Sequence, residues 1–322
     1  MLKFILRRTL LMIPQLILLS LIIFMLAKAM PGDAVTGAFM GNPDATPEQI
    51  EKIREKFGLN DPWYVQYGRW IGKAVQGDFG HSYAHQQPVT NLIAGRIENT
   101  VLLSLFTMIV IYLIAIPLGI IAGRWADSWA DKMIVTYNYF SFATPPFISA
   151  LMLLFLFSFL LGWFPSGGTV NIRIEVGTWE YIVSRAKHLF LPVMSVALIG
   201  TVGTIQYLRN DIIDQKTKDF VKTARAKGVP EGKVYTRHIL RNSLLPIAAF
   251  LGYEITGLIT GSVFVESIFT YQGLGQLFIQ SIGLRDFTVV TAIVLMSGTA
   301  VVVGTMLSDI ILSIVDPRIR IE

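Results

Sequence analysis

The chain has 322 residues, of which 53% are hydrophobic and only 15% charged; it has no cysteine and a formal net charge of +5. That balance excludes an ordinary soluble domain and predicts a polytopic membrane protein. Without cysteine there can be no disulfide, thiolate metal site or catalytic thiol. The basic residues cluster at span boundaries, which is a topology signal and not a nucleic-acid footprint.

Lys3 to Arg8 followed by an apolar run has the outline of a signal peptide. The run from Thr9 to Ala27 is too long for one, and Ala-Lys-Ala-Met-Pro-Gly is a poor cleavage site, so it reads as a retained first span. Span one covers about 9–30; at ~1.5 Å per residue that is about 33 Å, enough for a ~30 Å hydrocarbon core. Residues 31–98 form a long polar segment after Pro31-Gly32-Asp33 stops the span. Thr46-Pro47-Glu48 predicts a short amphipathic helix, and Asp61-Pro62-Trp63 another, with Tyr64, Tyr67 and Trp70 suited to a membrane interface. His81 and His85 are spaced to share a helix face as metal ligands, but no third ligand is evident.

Span two is about 99–123, with Pro117 and Gly119 as a kink point. Span three is about 133–162 and is broken midway by Thr144-Pro145-Pro146-Phe147. Pro145 and Pro146 either line a pathway or make a packing kink. Residues 163–187 read as an external loop, and span four, about 188–208, as broken at Pro192. Span five, about 245–265, carries Glu254, which faces a wet pathway or makes a helix–helix hydrogen bond. Span six is about 287–315.

Between spans four and five lies the most basic stretch, with Lys216, Lys218, Lys222, Arg225, Lys227, Lys233, Arg237 and Arg241. Asp219 is placed to cap a helix through Phe220, Val221 and Ala224; Gly228-Val229-Pro230 ends it, and a second helix runs from near Glu231 to Leu245. On charge alone this is a docking device, a solvated loop or an anionic-lipid patch. Short basic segments stay on the cytoplasmic side, and the Lys and Arg distribution over six spans puts both termini there too.

Thr-Ala-Arg-Ala-Lys-Gly (223–228) followed by Arg-His-Ile-Leu-Arg-Asn (237–242) resembles the EAA loop of binding-protein-dependent ABC importer permeases. The closer likeness is to the B-type membrane subunit of the peptide/nickel (oligopeptide/dipeptide) family. Gly58-Leu59-Asn60-Asp61-Pro62, Gly77-Asp78-Phe79-Gly80-His81-Ser82, Glu266, Gly273-Leu274-Gly275, Arg285-Asp286 and the ending Asp316-Pro317-Arg318 extend the resemblance along nearly the whole chain. Lys222 and Thr223 stand where the family has Glu and Ala, and Arg241 where many members have Pro.

The resemblance implies an all-α, six-helix type I importer permease: span one within 1–30, an extracytoplasmic segment over 31–98, and a core of 99–322 that holds a cytoplasmic loop over 209–244. It implies a coupling surface at Asp219, Lys222, Thr223, Ala224, Arg225, Ala226, Lys227, Gly228, Val229, Arg237, His238 and Arg241. It implies a location in the plasma or inner membrane. The implied partners are a second homologous permease, two ATP-binding subunits and an extracytoplasmic solute-binding protein, with a peptide as solute and nickel, glutathione or opines as variants. No G-x-x-x-x-G-K-[ST] is present, so no cofactor is expected on this chain, and ATP with Mg²⁺ falls to the partners. Two other readings are an ion-coupled secondary transporter using Glu254 and Asp309, and a membrane enzyme around Asp78, His81 and His85.

Overall fold

The computed structural model describes residues 2–29, 60–82, 84–244 and 262–315, with Glu48, Glu51, Glu55 and Ile247; side chains are described except at 2–5 and 311–315. Helix α1 is Leu2–Ala29, α2 is Trp63–Val75, and α3 is Val89–Arg124. Between α2 and α3, β1 (His81–Ser82) pairs antiparallel with β2 (Gln87–Pro88). Then come α4 (Trp129–Ala143), α5 (Pro146–Leu153) with a π-helical continuation Leu154–Leu160, and α6 (Trp179–Gln215). The basic stretch holds α7 (Asp219–Ala226) and α8, which starts as Glu231–Lys233 and continues as a π-helical turn Val234–Ile239. Helices α9 (Val263–Ile268), α10 (Leu274–Gly283) and α11 (Phe287–Val315) complete the described chain.

Four of these helices are long and apolar enough to cross a membrane; α4 with α5 makes a fifth if the bent pair is one span. The fifth predicted span, and Glu254 within it, lies outside the described residues except for Ile247 and 262–265, where α9 begins, and most of the helix predicted from Thr46 lies outside them too. Two spans are longer than the sequence reading had them. Helix α3 begins at Val89, and α6 extends from Trp179 to Gln215, so the expected external loop 163–187 is helical in its last part. Pro192 does not break α6; it is buried inside a continuous helix, flanked by buried Leu191 and Val193.

Helices α3 and α6 run side by side in the same direction. A Cβ on Gly200 would fall 2.6 Å from Ile111, one on Gly119 3.0 Å from Leu208, and one on Gly123 2.8 Å from Ile212. Gly119 is therefore a close-approach residue. Because both helices end at the same level, Arg124 and Gln215 bring the chain to one end of the bundle.

The break between α4 and α5 follows from the two prolines. Each proline pushes the residue before it to extended backbone, so Thr144 (ψ 116) and Pro145 (ψ 141) both leave the helix. Pro146 then serves as the first residue of α5, where its missing N–H costs nothing. The halves meet at 102°. Each is only about 22 Å long, short of a ~30 Å core, so neither crosses alone.

Candidate functional site

The predicted elbow is present. Lys227 N–H bonds Thr223 O at 3.1 Å, Val229 N–H bonds Ala224 O at 3.2 Å, and Gly228 takes φ +73°. That left-handed conformation is the usual helix C-terminal cap, and it favours glycine. Pro230 then opens α8. The start of α7 differs from expectation: Lys218 is the cap residue, and Asp219 sits in the first turn with its carboxylate on Lys222 Nζ at 3.0 Å. The negative charge still faces the helix N-terminus.

An ion pair closes the elbow. Arg225 Nη2 and Nε reach Glu231 Oε1 and Oε2 at 2.6 and 3.1 Å, linking α7 to α8. This pairing holds the Glu231 carboxyl below its ordinary value and the Arg225 guanidinium above its own.

The underside of the helix pair is apolar and sealed. Val221, Ala224, Val234, Tyr235 and Ile239 are buried against Leu208 and Ile212 of α6 and pack on Ile116 and Ile120 of α3. Four polar contacts reinforce this seat. Lys216 Nζ donates to Gly123 O and Arg124 O, each at 2.7 Å, and so caps the C-terminus of α3. Arg124 lies 4.8 Å over the Tyr235 ring, and the Tyr235 hydroxyl donates to Ile120 O at 3.4 Å. Burial, then repulsion from Arg225 and Arg124, pulls Lys216 below its ordinary value. Just inside, Arg209 of α6 makes two bonds to Asp131 of α4, at 2.6 and 2.8 Å.

The outer side is open. Asp219, Lys222, Thr223, Arg225, Ala226, Lys227, Gly228, Arg237 and Arg241 are exposed, Val229 and His238 are half-buried, and Ala224 is buried in the seat. Of the predicted loop residues only Ala224 is buried, and it anchors the seat. Phe220 adds a 39% exposed aromatic ring. Lys216, Phe220, Glu231 and Tyr235 were missed as site residues. A helical wheel of 219–226 would have exposed Phe220, and Arg225 six residues before Glu231 hinted at the pair.

Pro145 and Pro146 are exposed at the α4–α5 break, where Thr144 Oγ1 bonds Phe140 O at 2.8 Å and takes up one freed carbonyl. Asp309 is not a lone carboxylate: Arg8 Nη1 lies 2.6 Å from it, joining α1 to α11. His81 sits on β1 and His85 on the following turn, so they share no helix face. Among the described residues no group of three His, Cys, Asp or Glu is placed to hold a metal.

At the other end, Glu266 is fully buried and accepts from Thr100 Oγ1 (3.0 Å), Gly275 N–H (2.7 Å) and Gln276 N–H (3.1 Å), at the start of α10. The glycines of Gly-Leu-Gly are required by this approach. A Cβ on Gly273 would fall 2.4 Å from Glu266 Oε2, and one on Gly275 2.6 Å from Val263 Cα. Asp286 is likewise buried; Ser82 Oγ donates to it, as does Ala84 N–H at 3.4 Å. Two distant sequence motifs, 77–82 and 285–286, therefore meet in one contact.

Comparison with known proteins accords with this geometry. Residues 115–321 match the family described as the binding-protein-dependent transport system inner membrane component, and residues 1–104 match its N-terminal companion family. The chain is 41% identical to the oligopeptide transport system permease protein AppB of Bacillus subtilis (strain 168), over 99% of this chain and 100% of that one. It is 31% identical to the glutathione transport system permease protein GsiC of Escherichia coli (strain K12), over 99% of both. Its fold resembles an inward-facing MetNI methionine ABC transporter chain, with a TM-score of 0.55 and 13% identity, covering 70% of this chain and 96% of that one. The chain is therefore an integral membrane protein of the binding-protein-dependent ABC importer permease family, with the type I importer permease fold.

Proposed function

We propose that this chain forms, with a second homologous permease, the membrane path for peptide uptake, driven by two ATP-binding partner subunits and fed by an extracytoplasmic solute-binding protein. The peptide substrate is supported by AppB and GsiC, whose names assign them oligopeptide and glutathione transport. ATP and Mg²⁺ reside on the partners. The positive-inside distribution supports cytoplasmic termini and a cytoplasmic basic loop, with 31–98 outside and 99–322 as the transport core. The α7–α8 pair receives the ATPase, and Pro145, Pro146 and Glu254 line the path.

The observation that carries this reading is the two-sided loop. Its outer face is an exposed row of cations around Gly228, and its inner face is fastened to α3 and α6 by Lys216, Arg124 and Tyr235. A surface fastened in this way moves as one body with two spans, as a force-transmitting contact requires. The test is purification of the chain from its native membrane. Recovery of a second permease and P-loop ATPases, lost when 219–241 is deleted without loss of membrane insertion, is the expected result. Recovery of the chain alone and still active in uptake would sink the proposal.

A further inference from the structure

One face of α6 differs from the other outward faces of the long apolar helices. Helix α3 turns Phe106, Ile109 and Leu113 outward, and α4 turns out Tyr139, Phe140 and Phe142, as hydrocarbon contact demands. From its midpoint onward, α6 instead exposes Gly203, Gln206 and Asn210 along one side. Gln206 lies level with the apolar stretch of α3: a Cβ on Gly119 would sit 3.3 Å from Ile205 O, next to Gln206.

A second observation points the same way. Asn138 of α4 is buried and reaches Gln206 Oε1 with its Nδ2 at 3.5 Å, while its own Oδ1 has no partner. Gly203 opens onto empty space. The strip thus carries one buried amide acceptor that this chain does not satisfy, Asn138 Oδ1, beside two exposed amides, Gln206 and Asn210, whose Oε1 and Oδ1 accept only long bonds, from Asn138 at 3.5 Å and Arg209 at 3.4 Å.

We propose that Gly203, Gln206 and Asn210, backed by Asn138, form part of the wet wall of the solute path and offer amide hydrogen bonds to a peptide backbone. This rests on the peptide-importer reading. Primary amides match the alternating N–H and C=O groups of any peptide and prefer neither sign of side-chain charge.

The chain has no cysteine, so each engineered one is unique within it, and the complex with the cysteine-free parent chain gives the background reaction of the partners. Gly203→Cys and Gln206→Cys are made in the complete transporter in membranes and treated with a membrane-impermeant cationic methanethiosulfonate, without nucleotide and with ATP trapped. Leu113→Cys, 68% exposed on the apolar side, is the lipid-facing control. The expected result is that Gly203→Cys and Gln206→Cys react in at least one state, with loss of uptake on modification, while Leu113→Cys does not react. If Gln206→Cys fails to assemble, Gly203→Cys, whose added atoms meet open space, decides alone. No reaction in either state would overturn the proposal and place the strip against protein or lipid. Reaction in a transporter whose unmodified form takes up no peptide would leave the wet wall standing and remove the peptide assignment.

Discussion

The two ends of α3 handle charge in opposite ways. At Thr100 it meets a carboxylate sealed inside the protein, on the N-terminus of α10. At Ile120, about 30 Å along the same helix, it meets a platform whose charges point outward and whose apolar side chains point in. The sealed end has no freedom to exchange partners: Glu266 is held by three donors, and glycines leave no room for movement. The open end keeps its cations exposed to solvent. A sealed carboxylate at one end and an exposed cationic surface at the other divide buried from solvent-facing charge along one span.

The largest effect is expected at the sealed end. Glu266→Ala strands Thr100 and two backbone N–H groups in a dry site, at ~1–3 kcal/mol for each buried group left unpaired. Gly273→Ala is expected to act alike, because its Cβ would displace the carboxylate. Thermal unfolding of the solubilised complex measures both. If either variant unfolds like the parent, the sealed carboxylate is not what holds this end.

At the open end, Gly228→Val forces a β-branched residue to φ +73°, at a cost of about 1–2 kcal/mol. Insertion is expected to survive while solute moved per ATP falls; Gly228→Asn, which tolerates this region, is the milder control. Lys216→Met removes the cap on α3, worth ~0.3–1 kcal/mol, and is expected to lower the same ratio with little change in unfolding. Recovery in Lys216→Arg would separate a positioning role from simple destabilisation.

The smallest effect belongs to Arg225 and Glu231, which sit in solvent. Glu231 has its folded value depressed, so its contribution is present above the ordinary carboxylate range and lost as pH falls through the folded value. Parent and Glu231→Gln are therefore expected to differ slightly at neutral pH and to converge in acid. A difference that grew in acid would reverse the assigned cause.

The elbow was legible because its determinants are neighbours in the chain: glycine, then a residue, then proline. The break at Pro145-Pro146 was legible for the same reason, although its angle was not. Pro192 misled because a proline's local penalty does not show what surrounds it; with both flanks packed in the core, the helix runs on. Asp219 was assigned a cap one residue too late, since the cap depends on where Lys218 leaves the extended backbone. The 266, 273–275 and 285–286 motifs stood out by resemblance, but their reason was invisible, because Ser82 and Thr100 lie far away in sequence.

Hydrophobic runs, proline and glycine breaks and the clustering of cations are properties of a linear string, and they determined the membrane class, the family resemblance and the place of the basic loop. Only the tertiary structure decided that α3 and α6 run together and end at one level. That juxtaposition places Lys216 on the carbonyls of α3, Tyr235 beneath Arg124, and Gln206 on an open face beside apolar neighbours. Such contacts depend on the depth and rotation of packed helices, which a single helix's sequence does not specify.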